Sequence, residues 1–192
     1  MNFSYASQAV FSEFGLDTER KIVGLSGPPG CGKTTLLKIL AGIIKPAIAT
    51  IFDVPQGGLL ILQEDALLPW LTGWQNLEIV GLQTHAAIVA HSLYSTVEPL
   101  LTKRAHAMSF GQRRTVELFR AFTAQPQFLC LDEPFNFLDE STRSVYIDFL
   151  LNEHLSCPVV MSTHHVAELE RVRAEVLRFS GNLPVSSLEV SE

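Results

Sequence analysis

The sequence has few cysteines and no long apolar run. Its three cysteines, Cys31, Cys130 and Cys157, are too few and too scattered for a disulfide framework, and they lack the Cys-x-x-Cys spacing of zinc sites. A reducing cytosol fits this pattern best. No apolar run approaches the roughly 20 residues that a membrane-spanning helix needs, and residues 1–10 lack the pattern of a signal peptide. We therefore expect any attachment to a membrane to depend on a partner.

Charge, and positive charge above all, is also scarce. The chain of 192 residues has 14 Lys and Arg against 20 Asp and Glu, a net charge of −6. This balance excludes broad electrostatic binding of nucleic acid, so we expect no nucleic-acid partner. Hydrophobic residues make up 47% of the chain and charged ones 18%, which predicts one globular domain with ample material to bury. This high share of apolar residues is explained either by a larger core or by an apolar surface that a partner covers.

Apolar stretches of strand length alternate along the chain with stretches of helical period, which predicts an α/β fold. Residues 128–131 are apolar at successive positions, as in a parallel strand that is buried on both faces. Residues 73–124 are helical in character and read as an insertion in the same domain. Residues 180–192 favour a loose tail. The predicted elements are Lys21–Ser26, Lys33–Leu40, Leu59–Leu62, Phe128–Leu131, Asp139–Leu151, Pro158–Ser162 and Glu175–Phe179.

A glycine-rich segment matches the phosphate-binding pattern GxxxxGK[ST] between a predicted strand and a predicted helix. Its glycines let the backbone wrap around phosphates, and the positive end of the helix adds to the attraction. Lys33 would reach the β- and γ-phosphates, Thr34 would bind Mg²⁺, and Thr35 would donate to a more distal α-phosphate oxygen. Cys31 either has a reactive thiol or merely occupies a position in this loop that requires a small side chain. The segment reads Gly27, Pro28, Pro29, Gly30, Cys31, Gly32, Lys33, Thr34.

Two consecutive acids follow the buried strand at residues 128–131. Asp132 at a strand end can hold Mg²⁺ through water, and Glu133 can accept a proton from the water that attacks the γ-phosphate. Pro134 then stops the strand. Such acids are often only solvated loop residues, but the upstream phosphate-binding segment favours a catalytic pair.

A third motif reads Met-Ser-Phe-Gly-Gln at residues 108–112 and is similar to the LSGGQ signature of ABC transporters. With the two motifs above, most of the chain resembles the nucleotide-binding subunit of that family. The resemblance implies that Ser109, Phe110, Gly111 and Gln112 bind the γ-phosphate of ATP held by an opposite subunit. Ser109 and the Gly111 amide would present donors at a helix start. Phe110 departs from the commonest glycine, and an ordinary capped helix remains the alternative.

The family resemblance extends to four single residues. Gln63 follows a strand as in the Q-loop, which implies contact with Mg²⁺ and the attacking water, and Asp139 resembles the D-loop aspartate that crosses a dimer interface or only caps a helix. His164 follows a strand and resembles the switch histidine that contacts the γ-phosphate, and its position favours it over His165. Tyr5 falls where the family places the ring that stacks on adenine, although a core or hairpin tyrosine is the alternative.

The segment at residues 64–77, with its Leu-Leu-Pro-Trp sequence, is similar to importer ATPases for nitrate, sulfonates and related small anions. The resemblance implies a groove here that receives a short helix of the membrane subunit. Trp70 fits a wall of that groove or a plain core position equally well.

The resemblance implies a fold in which the whole chain, 1–192, is one ABC ATPase domain. A P-loop NTPase core of mostly parallel sheet flanked by helices would occupy about 1–62 and 125–180. The Q-loop and a helical subdomain would occupy about 63–124, and a tail 181–192. Residues 33–63 leave little room for the family's usual strand pair, so the antiparallel β-subdomain is expected to be shortened.

The resemblance also implies a function. The chain would be the subunit that binds and hydrolyses ATP, with Mg²⁺, to power a transporter, and the 64–77 segment favours an importer of a small anionic solute. Its partners would be ATP, a second copy or a homologous ATPase subunit, and integral membrane permease subunits at the cytoplasmic face of the inner or plasma membrane. The alternative is a non-transport ABC ATPase that acts on soluble partner proteins.

Overall fold

The computed structural model describes residues 1–5, 8–15, 18, 20–46, 58–80, 84–152 and 157–191. The described chain alternates strands and helices, as the sequence predicts. The strands are β1 (Phe3–Tyr5), β2 (Gln8–Phe11), β3 (Ile22–Ser26), β4 (Leu59–Ile61), β5 (Leu129–Asp132), β6 (Val159–Ser162), β7 (Glu175–Arg178) and β8 (Glu189–Ser191). The helices are α1 (Lys33–Leu40), α2 (Gly73–Glu78), α3 (His85–Val89), α4 (Tyr94–Val97), α5 (Phe110–Thr123), α6 (Glu140–Asn152) and α7 (Val166–Arg171), with 3₁₀ turns at Glu98–Leu100 and Ala105–Ala107.

The chain forms two compact units. The first comprises residues 1–60, 127–133 and 157–192, and the second comprises residues 61–126 and 134–156. The sheet has the strand order β4-β5-β6-β3-β7-β8. Strand β3 pairs in parallel with β6 and β7, and β5 pairs in parallel with β6, so the loops after β3, β5 and β6 leave the same edge of the sheet.

Strands β5 and β6 are buried along their whole length, because their apolar side chains pack on both faces of the sheet. Leu129, Cys130 and Leu131 are inaccessible to solvent. This confirms the predicted α/β core with a mostly parallel sheet. Burial also raises the pKa of Cys130 to about 12, which leaves its thiol unreactive.

A small antiparallel hairpin accompanies this sheet. Strands β1 and β2 pair with Phe3 opposite Phe11 and Ser4 opposite Ala9, which confirms the short antiparallel β-sheet that the sequence predicts. The expected abbreviation between Lys33 and Gln63 falls largely on residues 47–57, which lie outside the described residues.

Residues 180–191 differ from the loose tail that the sequence favours. Strand β8 pairs antiparallel with β7 at the edge of the sheet. Val185 is buried, its N–H donates to the Val10 carbonyl at 2.8 Å, and its own carbonyl accepts from Ser12 N–H at 3.1 Å. The apolar Val185 side chain thus ties this segment to the core of the first unit.

The second unit is mainly helical and has an aromatic core. Tyr146 of α6 is fully buried, and its hydroxyl donates to the Thr115 carbonyl of α5 at 2.6 Å. The Phe122 ring lies 5.7 Å from that of Tyr146 and 5.1 Å from that of Phe149. These contacts place α6 with the helices of 61–126. Among the described residues, no helix combines the length and apolar character needed to cross a bilayer.

Candidate functional site

The predicted phosphate-binding segment forms a tight loop between β3 and α1. Gly30 and Gly32 have φ angles of 77° and 104°, which favour glycine because side chains crowd the backbone there. Helix α1 begins at Lys33, immediately after Gly32, as predicted. The first amides of a helix have no partner within it, so this helix start offers donors and a positive dipole end to an anion. Pro28 and Pro29 are exposed.

The Lys33 ammonium lies inside the curl of this loop. It donates to the carbonyl oxygens of Gly27 at 2.7 Å and Pro28 at 3.0 Å, and the side chain is 7% exposed. Phosphate oxygens would form stronger, charge-assisted bonds with the same ammonium. The buried Cys31 Sγ lies 3.7 Å from Lys33 Nζ, which places a small side chain against the cation. The loop thus supplies the cation, the curved backbone and the helix end that a polyphosphate requires.

Thr34 and Asp132 meet at the carboxyl edge of the sheet. Thr34 Oγ1 donates to Asp132 Oδ2 at 2.7 Å, and the Ser162 hydroxyl donates to Asp132 Oδ1. Asp132 is 5% exposed, so its charge is held by these two donors rather than by bulk water. A hydroxyl and a carboxylate are the hard oxygen donors that suit Mg²⁺ beside substrate phosphates. The residues present therefore fit this ion.

Ser162 is a site residue that sequence reasoning missed. It ends β6 and lies directly opposite Asp132 in the register of β5 and β6. A serine that closes an otherwise apolar strand was the available signal, but its partner follows only from the strand register.

Glu133 and His164 form the second pair at this edge. The distance from Glu133 Oε1 to His164 Nε2 is 3.0 Å, and the His164 backbone N–H donates to Glu133 Oε2 at 3.3 Å. The Glu133 backbone donates in turn to the Ser162 carbonyl at 3.1 Å. Burial raises the pKa of Glu133, and the neighbouring His164 and Lys33 offset that rise only in part. A carboxyl group with a raised pKa in a buried site is suited to accept a proton.

The two consecutive histidines, His164 and His165, make different contacts. The His164 side chain, 47% exposed, contacts Glu133. His165 is instead the N-cap residue that precedes α7, and its backbone N–H donates to Thr163 Oγ1 at 3.0 Å. The contact with Glu133 thus belongs to the histidine that the sequence favours.

The predicted signature segment begins α5 in the second unit. Ser109 Oγ accepts from Gln112 N–H at 3.3 Å and Gln112 Oε1 accepts from Ser109 N–H at 3.2 Å, a reciprocal cap. A Cβ atom at Gly111 would lie 2.4 Å from the Phe137 carbonyl oxygen, so only glycine fits there. The exposed rings of Phe110 and Phe137 lie 5.5 Å apart.

Asp139 caps α6. Its carboxylate accepts from Thr142 N–H at 2.8 Å, from Thr142 Oγ1 at 3.0 Å and from Ser141 Oγ. These bonds, that of Ser141 first, lower the pKa of Asp139 to about 2. Capping is therefore one role of this residue.

Four further predicted residues differ in how far the structure describes them. Gln63 follows β4 and is exposed. Tyr5 ends β1, but its side chain lies outside the described residues. The Trp70 side chain is 63% exposed, which excludes the plain core alternative. Thr35 lies in the first turn of α1 and is partly buried.

The sequence matches the family model described as ABC transporter over residues 16–136. It is 34% identical over 184 residues to the aliphatic sulfonates import ATP-binding protein SsuB 1 of Streptomyces avermitilis, an alignment covering 91% of this chain and 68% of the relative. It is 33% identical to the taurine import ATP-binding protein TauB of Pseudomonas savastanoi, covering 87% and 70%. The corresponding values for TauB of Pseudomonas putida are 31%, 92% and 74%.

Proposed function

Because the chain belongs to the ABC transporter family of ATPases, we propose that it binds and hydrolyses ATP to power an importer of a small anionic solute. The observation that carries this proposal is the cluster at the carboxyl edge of the sheet. There Lys33 lies in the phosphate loop, Thr34 contacts Asp132, and Glu133 contacts His164. The relatives' names, which concern import of sulfonates and taurine, favour transport over action on soluble partners.

The phosphate loop binds the triphosphate of ATP. The backbone N–H groups of Gly30, Cys31 and Gly32 surround the phosphates, Lys33 pairs with the β- and γ-phosphate oxygens, and Thr35 donates to the α-phosphate. Thr34, Asp132 and Gln63 would hold Mg²⁺, whose positive charge would offset the charge on the phosphate oxygens. Tyr5 stacks on the adenine ring.

Glu133 accepts the proton of the attacking water. Burial raises the pKa of its carboxyl group and shields that group from bulk water. His164 orients the Glu133 carboxylate through its ring and its backbone N–H. Gln63 aligns the water through its side-chain amide.

The active assembly contains two ATPase subunits, either two copies of this chain or this chain with a homologue. Residues 109–112 at the start of α5 contact the γ-phosphate bound by the opposite subunit, and Asp139 lies at the interface. The whole chain acts as one ABC ATPase domain. It associates with integral membrane permease subunits at the cytoplasmic face of the membrane, where the exposed Trp70 contacts a permease helix.

Affinity capture from the native cell tests the importer assignment. The tagged full chain is recovered separately from the soluble fraction and from detergent-solubilised membranes, and co-purifying proteins are identified by mass spectrometry. A polytopic membrane protein that stimulates ATP hydrolysis in the recovered complex is expected. Recovery with soluble proteins alone would contradict the importer and favour the non-transport alternative.

A further inference from the structure

A buried ion pair on α5 has no part in the mechanism above. Arg114 Nη1 lies 2.8 Å from Glu117 Oε2, and the two side chains are 5% and 1% exposed. A buried ion pair loses its hydration, so it is stable only where its remaining donors and acceptors find partners. The partners of those atoms therefore show what the pair holds in place.

The partners are backbone groups on either side of Gln63. Arg114 Nη1 donates to the Leu62 carbonyl at 2.6 Å, and Glu117 Oε1 accepts from Ala66 N–H at 3.0 Å. We define the Gln63 loop as residues 62–66. The ion pair thus binds the first and the last residue of this loop, and it leaves Gln63 itself exposed.

A third backbone contact joins the ion pair to the segment after the proposed general base. Arg114 Nε donates to the carbonyl oxygen of Pro134 at 3.0 Å, and Pro134 directly follows Glu133 in the chain. The rigid, planar guanidinium makes these contacts with fixed geometry, which the single ammonium of lysine does not reproduce.

Two neighbouring, partly exposed side chains on α5 contact the same loop. Arg113 forms an ion pair with Asp65, and Arg120 Nη2 lies 3.4 Å from the Ala66 carbonyl oxygen. Positions 113, 117 and 120 are spaced by four and three residues and so share one face of the helix. Four side chains of one helix thus contact a loop of five residues.

We propose that Arg114 and Glu117 are positioning residues that fix the Gln63 loop on α5, the helix that Ser109 caps. Neither touches ATP. Both act through the backbone, because the irregular loop at 62–66 obtains from them the hydrogen bonds that regular structure would supply. Gln63 and the start of α5 therefore move together when either responds to ATP. The proposal rests on the proposed function only for the role given to Gln63.

A double substitution tests this role without leaving a buried charge. Arg114→Met with Glu117→Leu replaces the pair with apolar side chains and removes the three backbone contacts. Replacing a buried ion pair with apolar side chains of similar volume is often neutral for stability. We expect ATP affinity within about twofold of the wild type, because the phosphate loop is untouched, and kcat reduced at least about tenfold. Amide hydrogen exchange of a peptide that contains residues 62–66 should become faster in the nucleotide-free full chain.

Matched controls and a conservative variant separate positioning from general destabilisation. Arg104→Met with Asp148→Asn likewise neutralises one cation and one anion, but at exposed positions of the same unit, and should leave kcat and exchange unchanged. Arg114→Lys keeps the charge and should lower kcat while thermal unfolding stays close to the wild type.

Three outcomes would overturn the inference: wild-type exchange of the 62–66 peptide in the double variant, faster exchange with wild-type kcat, or a loss of kcat matched by an equal loss in the control. Failure of the proposed function is distinguishable from these. It would appear as absence of ATP hydrolysis in the wild type, while the exchange measurement would still show whether the ion pair orders the loop.

Discussion

Replacing Ser162 with alanine removes a donor to the buried Asp132 carboxylate. Ser162 is inaccessible to solvent and Asp132 is 5% exposed, so water does not readily substitute for the lost hydroxyl. The carboxylate keeps its bond from Thr34 at 2.7 Å on the other oxygen. The variant therefore removes one charge-assisted hydrogen bond at the centre of the candidate site. It also removes the acceptor that Ser162 Oγ offers to the Glu133 N–H at 3.2 Å, but that N–H keeps its bond to the Ser162 carbonyl at 3.1 Å.

The expected cost follows from that geometry. A hydrogen bond to a charged group contributes about 1.5–3 kcal/mol, and an unsatisfied buried acceptor carries a similar penalty. We expect Ser162→Ala to lower the free energy of unfolding by about 2 kcal/mol. With an m-value of about 2 kcal/mol/M in urea, the midpoint should fall by about 1 M and m should not change.

Urea denaturation in nucleotide-free, metal-free buffer measures this difference. Circular dichroism is the suitable probe, because both tryptophans, Trp70 and Trp74, lie in the second unit and Ser162 lies in the first. Ser180→Ala, at an exposed position of the first unit, is the matched control and should shift the free energy by less than about 0.5 kcal/mol. A midpoint for Ser162→Ala within about 0.2 M of the wild type would refute the reasoning.

Three further substitutions have defined outcomes. Lys33→Ala should abolish measurable ATP binding in titration calorimetry, because the cation inside the loop is lost; normal affinity would exclude the loop as the phosphate site. Gly111→Ala should destabilise the fold by about 1–3 kcal/mol in urea, since its Cβ would lie 2.4 Å from the Phe137 carbonyl oxygen, whereas Gly15→Ala, with open space around it, should not. Asp139→Ala should lower the free energy of unfolding by about 1 kcal/mol at pH 7, because the helix cap is lost. Since folding lowers the pKa of this carboxyl group, the difference in unfolding free energy between variant and wild type should shrink in urea melts as the pH falls from 3.8 through 2. A difference that stays constant with pH would contradict the assignment.

The core elements could be predicted because their signals are local. Helix α1 has the predicted bounds Lys33–Leu40, since the glycine loop and the apolar period specify its start and length. Strand β5 begins one residue later than predicted and includes Asp132. Such shifts are ordinary where a strand end depends on its neighbours.

Contacts between distant segments could not be predicted. The bond from Ser162 to Asp132 depends on the register of β5 and β6, which no local pattern specifies. Arg114 and Glu117 resemble an ordinary surface pair three residues apart, and only the packed second unit shows them buried against Leu62 and Ala66. The pairing of β8 with β7 is likewise a tertiary effect, because residues 180–191 carry weak strand signals of their own.

The central claim is that Glu133 serves as the base for hydrolysis of ATP held by two ATPase subunits. Steady-state ATP turnover of Glu133→Gln, measured with nucleotide affinity and with molecular mass by light scattering in Mg²⁺-ATP, tests it most directly. We predict ATP affinity close to the wild type, turnover lower by about 10²–10⁴-fold, and a mass of two chains when this chain alone is present. Turnover equal to the wild type would contradict the account.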